Sequence, residues 1–430
     1  MARPPLAAIL TLGCKLNLAD SGEVARGLRA AGFEVVDRLC EADAYVINTC
    51  SVTHVADQKS RRLIRSARSM SPAAPVAVTG CYPRSAGNEA AAALGADFVA
   101  GITEPERERL VAIIVERASA TATSPRSAAA SGPLHTRAFI RAQSGCNDVC
   151  SFCIVPRTRG RERSRSIDEV AAEVRRAVEG GVREAVITGT QLGAWGRDLD
   201  PPLRPEHLIS AILERTDIAR LRFSSLQPQD ITPGLLAPWG DPRLMPHFHL
   251  ALQSGSASVL QRMRRRYTPR DFLLAAARIH AAVPDAAITT DVIAGFPGET
   301  GSDFADTLAL CRDAGFARLH CFPYSPRSHT AAALMPGQTP AAVRQERVRC
   351  LIALGEELSL AFRRRFEGSV RPVLWEEERS SPEGRWWHGH TDNYIPVFAP
   401  GNGLRNRVTP ALLGAVYHDG VLATLTGGEE

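Results

Sequence analysis

The chain has 430 residues, of which 44% are hydrophobic and 23% are charged. This length exceeds one ordinary hydrophobic core, and the composition excludes a disordered or collagen-like chain, so we expect two or three globular domains. The formal net charge is +5, and all but two of the 51 basic residues are arginine, because lysine occurs only at Lys15 and Lys59. The arginine excess fits phosphate recognition, but together with abundant alanine it also fits a GC-rich genome.

No stretch reaches the ~18 consecutive apolar residues of a membrane span, and the apolar run at 6–12 is too short for a signal peptide. We therefore expect a cytoplasmic protein that does not act at a membrane. In that reducing compartment the ten cysteines are not expected to form a disulfide framework, and clustered cysteines are expected to bind metal or to carry chemistry.

Residues 1–117 alternate predicted strands and helices. Apolar runs predict strands at 6–12, 44–48 and 75–79. A basic helix is predicted over 54–70, and Asp20 or Ser21 is the expected N-cap of the helix that follows the first strand. This pattern predicts an N-terminal α/β domain with a parallel sheet.

A second alternation covers residues 135–366, after a stretch of small residues at 118–134 that we predict to be a linker. Six strands are predicted, at 138–142, 184–188, 221–226, 247–252, 287–293 and 318–322. Helices are predicted between most of them, at 166–179, 269–282 and 301–314, and a long one follows at 339–366. Six βα units predict a partial (β/α)6 barrel of the TIM type.

Residues 367–428 change to short strands separated by Gly, Pro and Asn turns. The predicted strands lie at 370–375, 386–390, 394–399 and 420–425. Together they predict a small C-terminal β-barrel of about the size of an OB fold. The expected fold class is therefore α/β, with an N-terminal parallel-sheet domain, a central partial barrel and this small β-barrel.

The strongest local motif is Cys-Asn-Asp-Val-Cys-Ser-Phe-Cys, which places Cys146, Cys150 and Cys153 on one loop after the first predicted barrel strand. Thiolates are the ligands that iron–sulfur clusters and zinc require. The nearest histidines, His135 and His207, are not at zinc-finger spacing. Three ligands therefore indicate a 4Fe–4S cluster with one iron open to a substrate or cofactor.

Three further cysteines each follow a predicted strand of the N-terminal domain: Cys14, Cys50 and Cys81. Carboxyl ends of parallel strands share one sheet edge, so we expect these thiols to converge in the ligand crevice and to hold a second cluster. The alternative is three small buried hydrophobic residues. Lys15 and Lys59 lie near this set, where a cation stabilises thiolate charge. The other four cysteines are expected to be core or incidental residues: Cys40, Cys311, Cys321 and Cys350.

The Cys-x3-Cys-x2-Cys motif at the first strand of a partial barrel resembles the radical S-adenosylmethionine (SAM) enzymes. The domain order over residues 6–427 resembles the methylthiotransferases among them, whose C-terminal barrel is TRAM-like. Their signatures are matched at 11–17, 46–53, 78–82, 249–256 and 291–300. Gly-Cys-Lys-x-Asn at 13–17, with 56–61 and 192–196, looks most like the MtaB type, which methylthiolates threonylcarbamoyladenosine in tRNA.

The resemblance implies two 4Fe–4S clusters and two SAM molecules. The cluster on Cys146, Cys150 and Cys153 would cleave one SAM to a radical that takes the hydrogen from position 2 of adenine. The cluster on the other cysteine set would deliver a methylthio group whose methyl comes from the other SAM. No catalytic side chain is implied, because clusters and SAM carry the radical chemistry. The residues implied to bind SAM are Gly189, Gln253, Asp291 and Gly295.

The implied substrate is the adenosine at position 37 of tRNA, and the implied partner is an electron donor such as flavodoxin or ferredoxin. Residues 137–165 carry seven arginines and two acids, and 262–270 carry five arginines and no acid. These stretches fit phosphate binding, or solvated helix faces.

The C-terminal region points the other way, because residues 366–430 carry five arginines and nine acids, which favours a basic-protein substrate. Its aromatic residues either stack on bases or fill a core: Trp375, Trp386, Trp387 and Tyr394. We predict tRNA modified at threonylcarbamoyladenosine. The alternatives are isopentenyladenosine in tRNA, a ribosomal-protein aspartate and, in another class, a non-catalytic iron–sulfur or zinc scaffold.

Overall fold

The computed structural model describes residues 4–119, 136–223, 225–381 and 384–426. The predicted linker at 118–134 lies outside these residues, apart from 118 and 119, which end a helix. An N-terminal domain, a partial barrel and a small C-terminal barrel follow one another along the chain.

The N-terminal domain is built on a five-stranded parallel sheet with the order β2-β1-β3-β4-β5. Its strands are β1 (Leu6–Thr11), β2 (Glu34–Val36), β3 (Ala44–Thr49), β4 (Val76–Gly80) and β5 (Phe98–Val99). Its helices are α1 (Lys15–Ala30), α2 (His54–Met70), α3 (Cys81–Ala86), α4 (Asn88–Ala92) and α5 (Glu104–Ser119). The central strands are continuous apolar runs because each face of the sheet buries its own core, one around Ile47 and one around Val46. The three strands predicted here are confirmed.

The start of α1 differs from the prediction that Asp20 or Ser21 caps it. The helix begins at Lys15, with Cys14 in an extended conformation as its N-cap. Asp20 and Ser21 are buried inside the helix, where Asp20 pairs with Arg159 of the barrel at 3.1 Å. The prediction was wrong because a residue type that favours a helix cap also serves as a buried partner when another domain supplies the opposite group.

The central domain contains eight strands and eight helices among the residues described. The strands are β6 (Arg137–Arg141), β7 (Gln143–Ser144), β8 (Arg163–Ser164), β9 (Glu184–Thr188), β10 (Arg220–Phe223), β11 (His247–His249), β12 (Ala287–Ala294) and β13 (Arg318–Pro323). The helices are α6 (Val155–Thr158), α7 (Ile167–Glu179), α8 (Pro205–Arg215), α9 (Pro233–Leu236), α10 (Ala257–Arg262), α11 (Pro269–Ala282), α12 (Gly301–Ala314) and α13 (Ala341–Arg364).

Six of these strands form a partial barrel in the order β6-β9-β10-β11-β12-β13. All neighbours run parallel, and two isolated bridges, Leu221 to Leu244 and Leu226 to Leu250, join the two three-stranded halves. The core between strands and helices is aliphatic and aromatic, with Phe223, Phe248 and Phe272 fully buried. The predicted (β/α)6 barrel is confirmed, and its strand ends place the loops that carry the cysteines.

The C-terminal domain is a closed barrel with the strand order β14-β15-β16-β18-β17. Its strands are β14 (Val370–Ser381), β15 (Gly384–Thr391), β16 (Pro396–Ala399), β17 (Val408–Tyr417) and β18 (Gly420–Leu425). Trp375 and Trp387 fill its core and are not free to stack on bases. The strand β17 was not predicted, because Pro410 and Gly414 break its apolar pattern. A register shift within β17, after Leu413, accommodates this irregular segment.

Buried ion pairs join the domains. Arg327, which follows β13, donates to Asp57 of α2 at 2.7 Å, and Arg159 pairs with Asp20 of α1. At the other end of the barrel, Arg222 of β10 donates to backbone carbonyls of the C-terminal barrel, including that of Thr391 at 3.1 Å. The N-terminal domain is therefore fixed near the carboxyl ends of the barrel strands, and the C-terminal barrel near their amino ends.

Candidate metal centres

The loop between β7 and α6 brings Cys146, Cys150 and Cys153 to one cavity of about 530 Å³. The loop is held to the barrel by backbone hydrogen bonds, among them one from Ser151 to the carbonyl of Met263 at 3.1 Å. The three predicted ligands of the first set therefore share one cavity.

Hydrogen bonds reach two of these sulfur atoms. The backbone amide of Asp148 donates to Cys146 Sγ at 3.3 Å, and Arg265 donates to Cys150 Sγ at 3.3 Å. A second nitrogen of Arg265 donates to Gln227 Oε1 at 2.9 Å, which orients the guanidinium. Such donors stabilise thiolate ligands and tune the metal that they bind.

Burial disfavours the thiolate form at both cysteine sets. It raises the pKa of Cys146 to about 11 and that of Cys153 to about 12. In the N-terminal domain, burial raises the pKa of Cys50 to about 11 and also raises the pKa of Cys81. Thiols of this kind become thiolates when a bound metal ion supplies positive charge, so the donor chemistry fits an iron–sulfur cluster.

The second set is assembled from three strand ends of the N-terminal sheet. Cys14 follows β1, Cys50 follows β3 and Cys81 follows β4 directly, and the thiols interact electrostatically with one another. Gly13 has a φ of +109°, and a Cβ on it would lie 2.9 Å from Cys50 Cβ. Only glycine therefore lets the chain bring Cys14 past Cys50. The predicted convergence is what the structure describes.

Arg159 links the two sets. It lies six residues after Cys153, and its guanidinium hydrogen-bonds to Asn17 Oδ1 at 2.8 Å and interacts with Cys14 and Cys81. Burial alone would lower the pKa of Arg159, but Asp20 and these two thiols raise it. Arg159 therefore connects the segment that follows the first cysteine set to the second set in the N-terminal domain.

The positions of the sulfur atoms bear on whether a set forms a ready-made zinc site. Among the described residues, neither cysteine set brings all three sulfurs within 4.8 Å of one another. A tetrahedral zinc ion with Zn–S bonds of about 2.3 Å would hold its sulfurs about 3.8 Å apart. Neither set therefore has the geometry of a preformed zinc site.

The four residues implied to bind SAM lie at or near strand ends. Gly189 directly follows β9, Asp291 lies in β12, and Gly295 directly follows β12. Gln253 bridges to β12, with its amide on the carbonyl of Asp291 at 2.9 Å. Among the described residues that line the cavity of the first cysteine set, none of these four occurs. Their role in SAM binding stays a prediction.

A polar cluster lies inside the barrel between these strand ends. His249 hydrogen-bonds to Asp291 at 3.3 Å, and the ring of His249 lies 5.9 Å from that of His320. Burial lowers the pKa of His320 to about 4, so its ring is neutral at pH 7. Burial, with Arg222 nearby, lowers the pKa of Lys15 to about 8. The sequence places Lys15 beside Cys14 only, and in the structure Lys15 also belongs to this interior.

Several residues that shape the site have no motif of their own. Arg265 and Gln227 contact the first cysteine set or its loop, and Arg159 contacts the second. Arg159 and Arg265 were counted only as charges in two basic stretches. Local sequence could not single them out, because their partners lie in distant segments that only the fold brings close.

The basic stretch at 137–165 divides into buried and exposed arginines. Four of its seven arginines form internal ion pairs in which their side chains are largely buried: Arg137, Arg141, Arg159 and Arg165. The exposed ones are Arg157, Arg161 and Arg163. Arg161 and the exposed Arg264 of the second stretch line the cavity of the first cysteine set. Two of the exposed arginines of these stretches therefore lie at that cavity, whereas Arg157 and Arg163 do not line it.

Comparisons with known proteins agree with this architecture. The profile of the radical SAM superfamily matches residues 140–311, and that of uncharacterized protein family UPF0004 matches residues 7–101. A solved structure of the radical SAM methyltransferase TsrM from Kitasatospora setae covers 77% of this chain and 77% of its own, with a TM-score of 0.54 and 15% identity. This likeness concerns the fold alone.

Two curated relatives are similar over most of their length. Threonylcarbamoyladenosine tRNA methylthiotransferase MtaB of Bacillus subtilis is 36% identical over 92% of this chain and 90% of its own. A tRNA-2-methylthio-N(6)-dimethylallyladenosine synthase of Frankia casuarinae is 38% identical over 87% of this chain and 72% of its own. In the part of the chain that the structure describes, no helix is both long and apolar enough to cross a membrane.

These similarities span the cysteine-bearing domain and the barrel alike, and the radical SAM superfamily brings 4Fe–4S clusters and SAM as its cofactors. This chain therefore belongs to the radical SAM family of tRNA methylthiotransferases.

Proposed function

We propose that this enzyme methylthiolates position 2 of N6-threonylcarbamoyladenosine at position 37 of tRNA. The observation that carries the proposal is the presence of two three-cysteine sets, one at a cavity of the barrel and one at a sheet edge of the N-terminal domain, where Arg159 of the barrel contacts it. Two sets of three ligands fit two 4Fe–4S clusters, each with one open iron. The MtaB relative from Bacillus subtilis, similar over 92% of the chain, supports threonylcarbamoyladenosine as the modified base.

The two cysteine sets have different roles in this proposal. Cys146, Cys150 and Cys153 hold one cluster, and Arg265 stabilises the thiolate of Cys150 by its hydrogen bond. When bound there, cluster and SAM supply the one-electron chemistry that removes the hydrogen from adenine position 2. Cys14, Cys50 and Cys81 would hold the second cluster, which would supply the sulfur chemistry of methylthio transfer when bound. We assign SAM binding to the loops after β9, β11 and β12, which carry Gly189, Gln253 and Gly295, and to Asp291.

The surroundings of the first centre fit an RNA substrate. Arg161 and Arg264 are exposed at the rim of its cavity, where guanidinium groups meet phosphates of an anticodon loop. We place the reaction in the cytoplasm, with flavodoxin or ferredoxin as the electron donor. Isopentenyladenosine in tRNA is a second candidate substrate, because the relative from Frankia casuarinae is named for its dimethylallyl form and is 38% identical.

Mass spectrometry of tRNA nucleosides from a deletion strain tests the substrate. We expect 2-methylthio-N6-threonylcarbamoyladenosine to disappear, with return on complementation by the wild-type gene and not by Cys50→Ala. Loss of the isopentenyl product instead, or unchanged tRNA with an altered ribosomal protein, would overturn the proposal.

Iron analysis after anaerobic reconstitution tests the cofactor content. We expect about eight irons per chain for two 4Fe–4S clusters. About four irons, or stoichiometric zinc, would contradict the two-cluster arrangement.

A further inference from the structure

Lys15 is the first residue of α1 and follows Cys14 of the second cysteine set. Because α1 packs against β6 and β9, the Lys15 side chain reaches the polar interior of the barrel. The charged groups that act on its ammonium there come from four different strands: Arg137, Glu184, Arg222 and Asp291. Lys15 therefore begins beside the second cysteine set, and its side chain lies inside the barrel.

The acidic neighbours of Lys15 already have partners. Glu184 accepts from Arg222 at 2.8 Å, and Asp291 is bound by His249 at 3.3 Å. The neighbouring cation Arg137 is paired with Glu376 at 2.9 Å. Among the residues that the structure describes, neither a hydrogen bond nor an ion pair holds the ammonium of Lys15. A partly buried cation of this kind is costly unless an anion binds to it.

The two candidate bases differ in the group that such a cation recognises. The threonylcarbamoyl group carries one carboxylate, whereas the isopentenyl group carries no charge and no hydrogen-bonding atom. In adenine, C2 and C6 flank N1, so an N6 substituent that folds towards N1 lies along the same edge as C2. C2 must approach the second centre to receive sulfur, which brings the carboxylate close to Cys14 and its neighbour Lys15.

We propose that Lys15 binds the carboxylate of the threonylcarbamoyl group and thereby selects this base over an uncharged one. The assignment rests on the proposed function, since it names the contact by which the same site recognises its substrate. Lys59, the other lysine of the chain, is exposed on α2 and is not among the main groups that act on the thiols of Cys50 and Cys81, so its expected link to this cysteine set is not seen. It therefore offers a matched control for loss of a lysine charge.

The test uses reconstituted enzyme and two anticodon stem-loop RNAs, one with threonylcarbamoyladenosine and one with its carboxylate converted to the methyl amide. We expect Lys15→Gln to lower kcat/KM on the carboxylate RNA about ten- to a hundredfold, mainly through KM, as for loss of a hydrogen bond to a charged group. The amide RNA should respond little. Lys15→Arg should restore most of the activity, and Lys59→Gln should match the wild type on both RNAs.

Iron content and SAM cleavage without RNA report on the centres themselves. Both should be unchanged in Lys15→Gln. An equal loss on both RNAs, or a loss of iron, would overturn the assignment, because Lys15 would then support the fold or the cluster. A third stem-loop with isopentenyladenosine tests the proposed function itself, which would be refuted if the wild-type enzyme modified only that RNA. Activity on the carboxylate RNA that is insensitive to Lys15→Gln would refute the lysine contact alone.

Discussion

The two ends of the barrel differ in whether their charged and reactive side chains have partners within the chain. At the amino ends of the strands, Glu184 accepts from Arg220 and Arg222 at 2.8 Å each, and all three side chains are buried. The same arginines donate to backbone carbonyls of the C-terminal barrel, including that of Thr391. These three charged side chains therefore each meet an opposite charge or a carbonyl of the same chain.

At the carboxyl ends of the strands, thiols and arginine side chains remain available to bind ligands. The thiols of both cysteine sets are disfavoured as thiolates by burial, and Arg161 and Arg264 are exposed at a cavity. The comparison indicates that one end is neutralised within the fold and holds two domains together. We expect the other end to be completed by metal, cofactor and RNA.

Part of the acidic charge of the C-terminal barrel is used inside the molecule. Glu376 pairs with Arg137 at 2.9 Å and with His390 at 3.0 Å, and Asp392 pairs with Arg371. Other acids of this region are exposed, among them Glu377 and Glu378. Glu376 also lies within 4.8 Å of His388 and His390, but Arg137 already neutralises its carboxylate.

The largest expected effects come from removing single thiols, one from each set. Cys153→Ala should abolish both SAM cleavage and methylthiolation, because the first cluster loses a ligand. Cys50→Ala should abolish methylthiolation and leave SAM cleavage. Each variant should fall from about eight to about four irons per chain. Cys350→Ala, exposed on α13, is the control and should keep both activities. Equal loss of SAM cleavage in both variants would contradict the division of labour.

A substitution in the buried ion pairs at the amino ends of the strands should lower the free energy of unfolding and leave the catalytic chemistry unchanged. Glu184→Gln leaves Arg220 and Arg222 buried without their anion, which should cost about 3–5 kcal/mol. The midpoint of urea unfolding measures this loss. Asp168→Asn, which breaks an exposed pair with Arg215, should cost less than about 1 kcal/mol. Similar small losses in both variants would show that the buried pair does not hold the domains.

The same buried group predicts how stability depends on pH. Burial alone would raise the pKa of Glu184, but Arg222, Arg220 and Arg137 hold it at about 2. The unfolded value is about 4.3, so the unfolded state binds the proton first. The charged Glu184 therefore contributes about 3 kcal/mol to the free energy of unfolding above about pH 4.3, and this contribution is lost as the pH falls towards 2.

Urea midpoints between pH 5 and pH 3 measure this effect. The wild type should lose stability over that range more steeply than Glu184→Gln, which has no carboxyl group to titrate at this position. Parallel curves for the two proteins would place the acid sensitivity at other carboxylates.

The sequence predicted features that depend on local pattern. The parallel sheet, the six-stranded barrel and both cysteine sets follow from apolar periodicity and from cysteines at strand ends, and the structure has them. The cap of α1 was wrong because Asp20 is used by Arg159, which lies more than a hundred residues away. The roles of Arg265 and Lys15 could not be predicted for the same reason, because a contact between distant segments leaves no local pattern in the sequence.

The smallest expected effect concerns RNA binding at the open end. Changing both Arg161 and Arg264 to Gln should weaken binding of an anticodon stem-loop about three- to tenfold at physiological salt. It should also reduce the slope of log Kd against log salt by about 1.4, at about 0.7 per phosphate contact in a single strand. Arg385→Gln, exposed on the C-terminal barrel, should leave affinity and slope unchanged. If Arg385→Gln reduced the slope as much as one cavity arginine, the RNA would also contact the C-terminal barrel, and the two ends would not divide the charge as the ion pairs indicate.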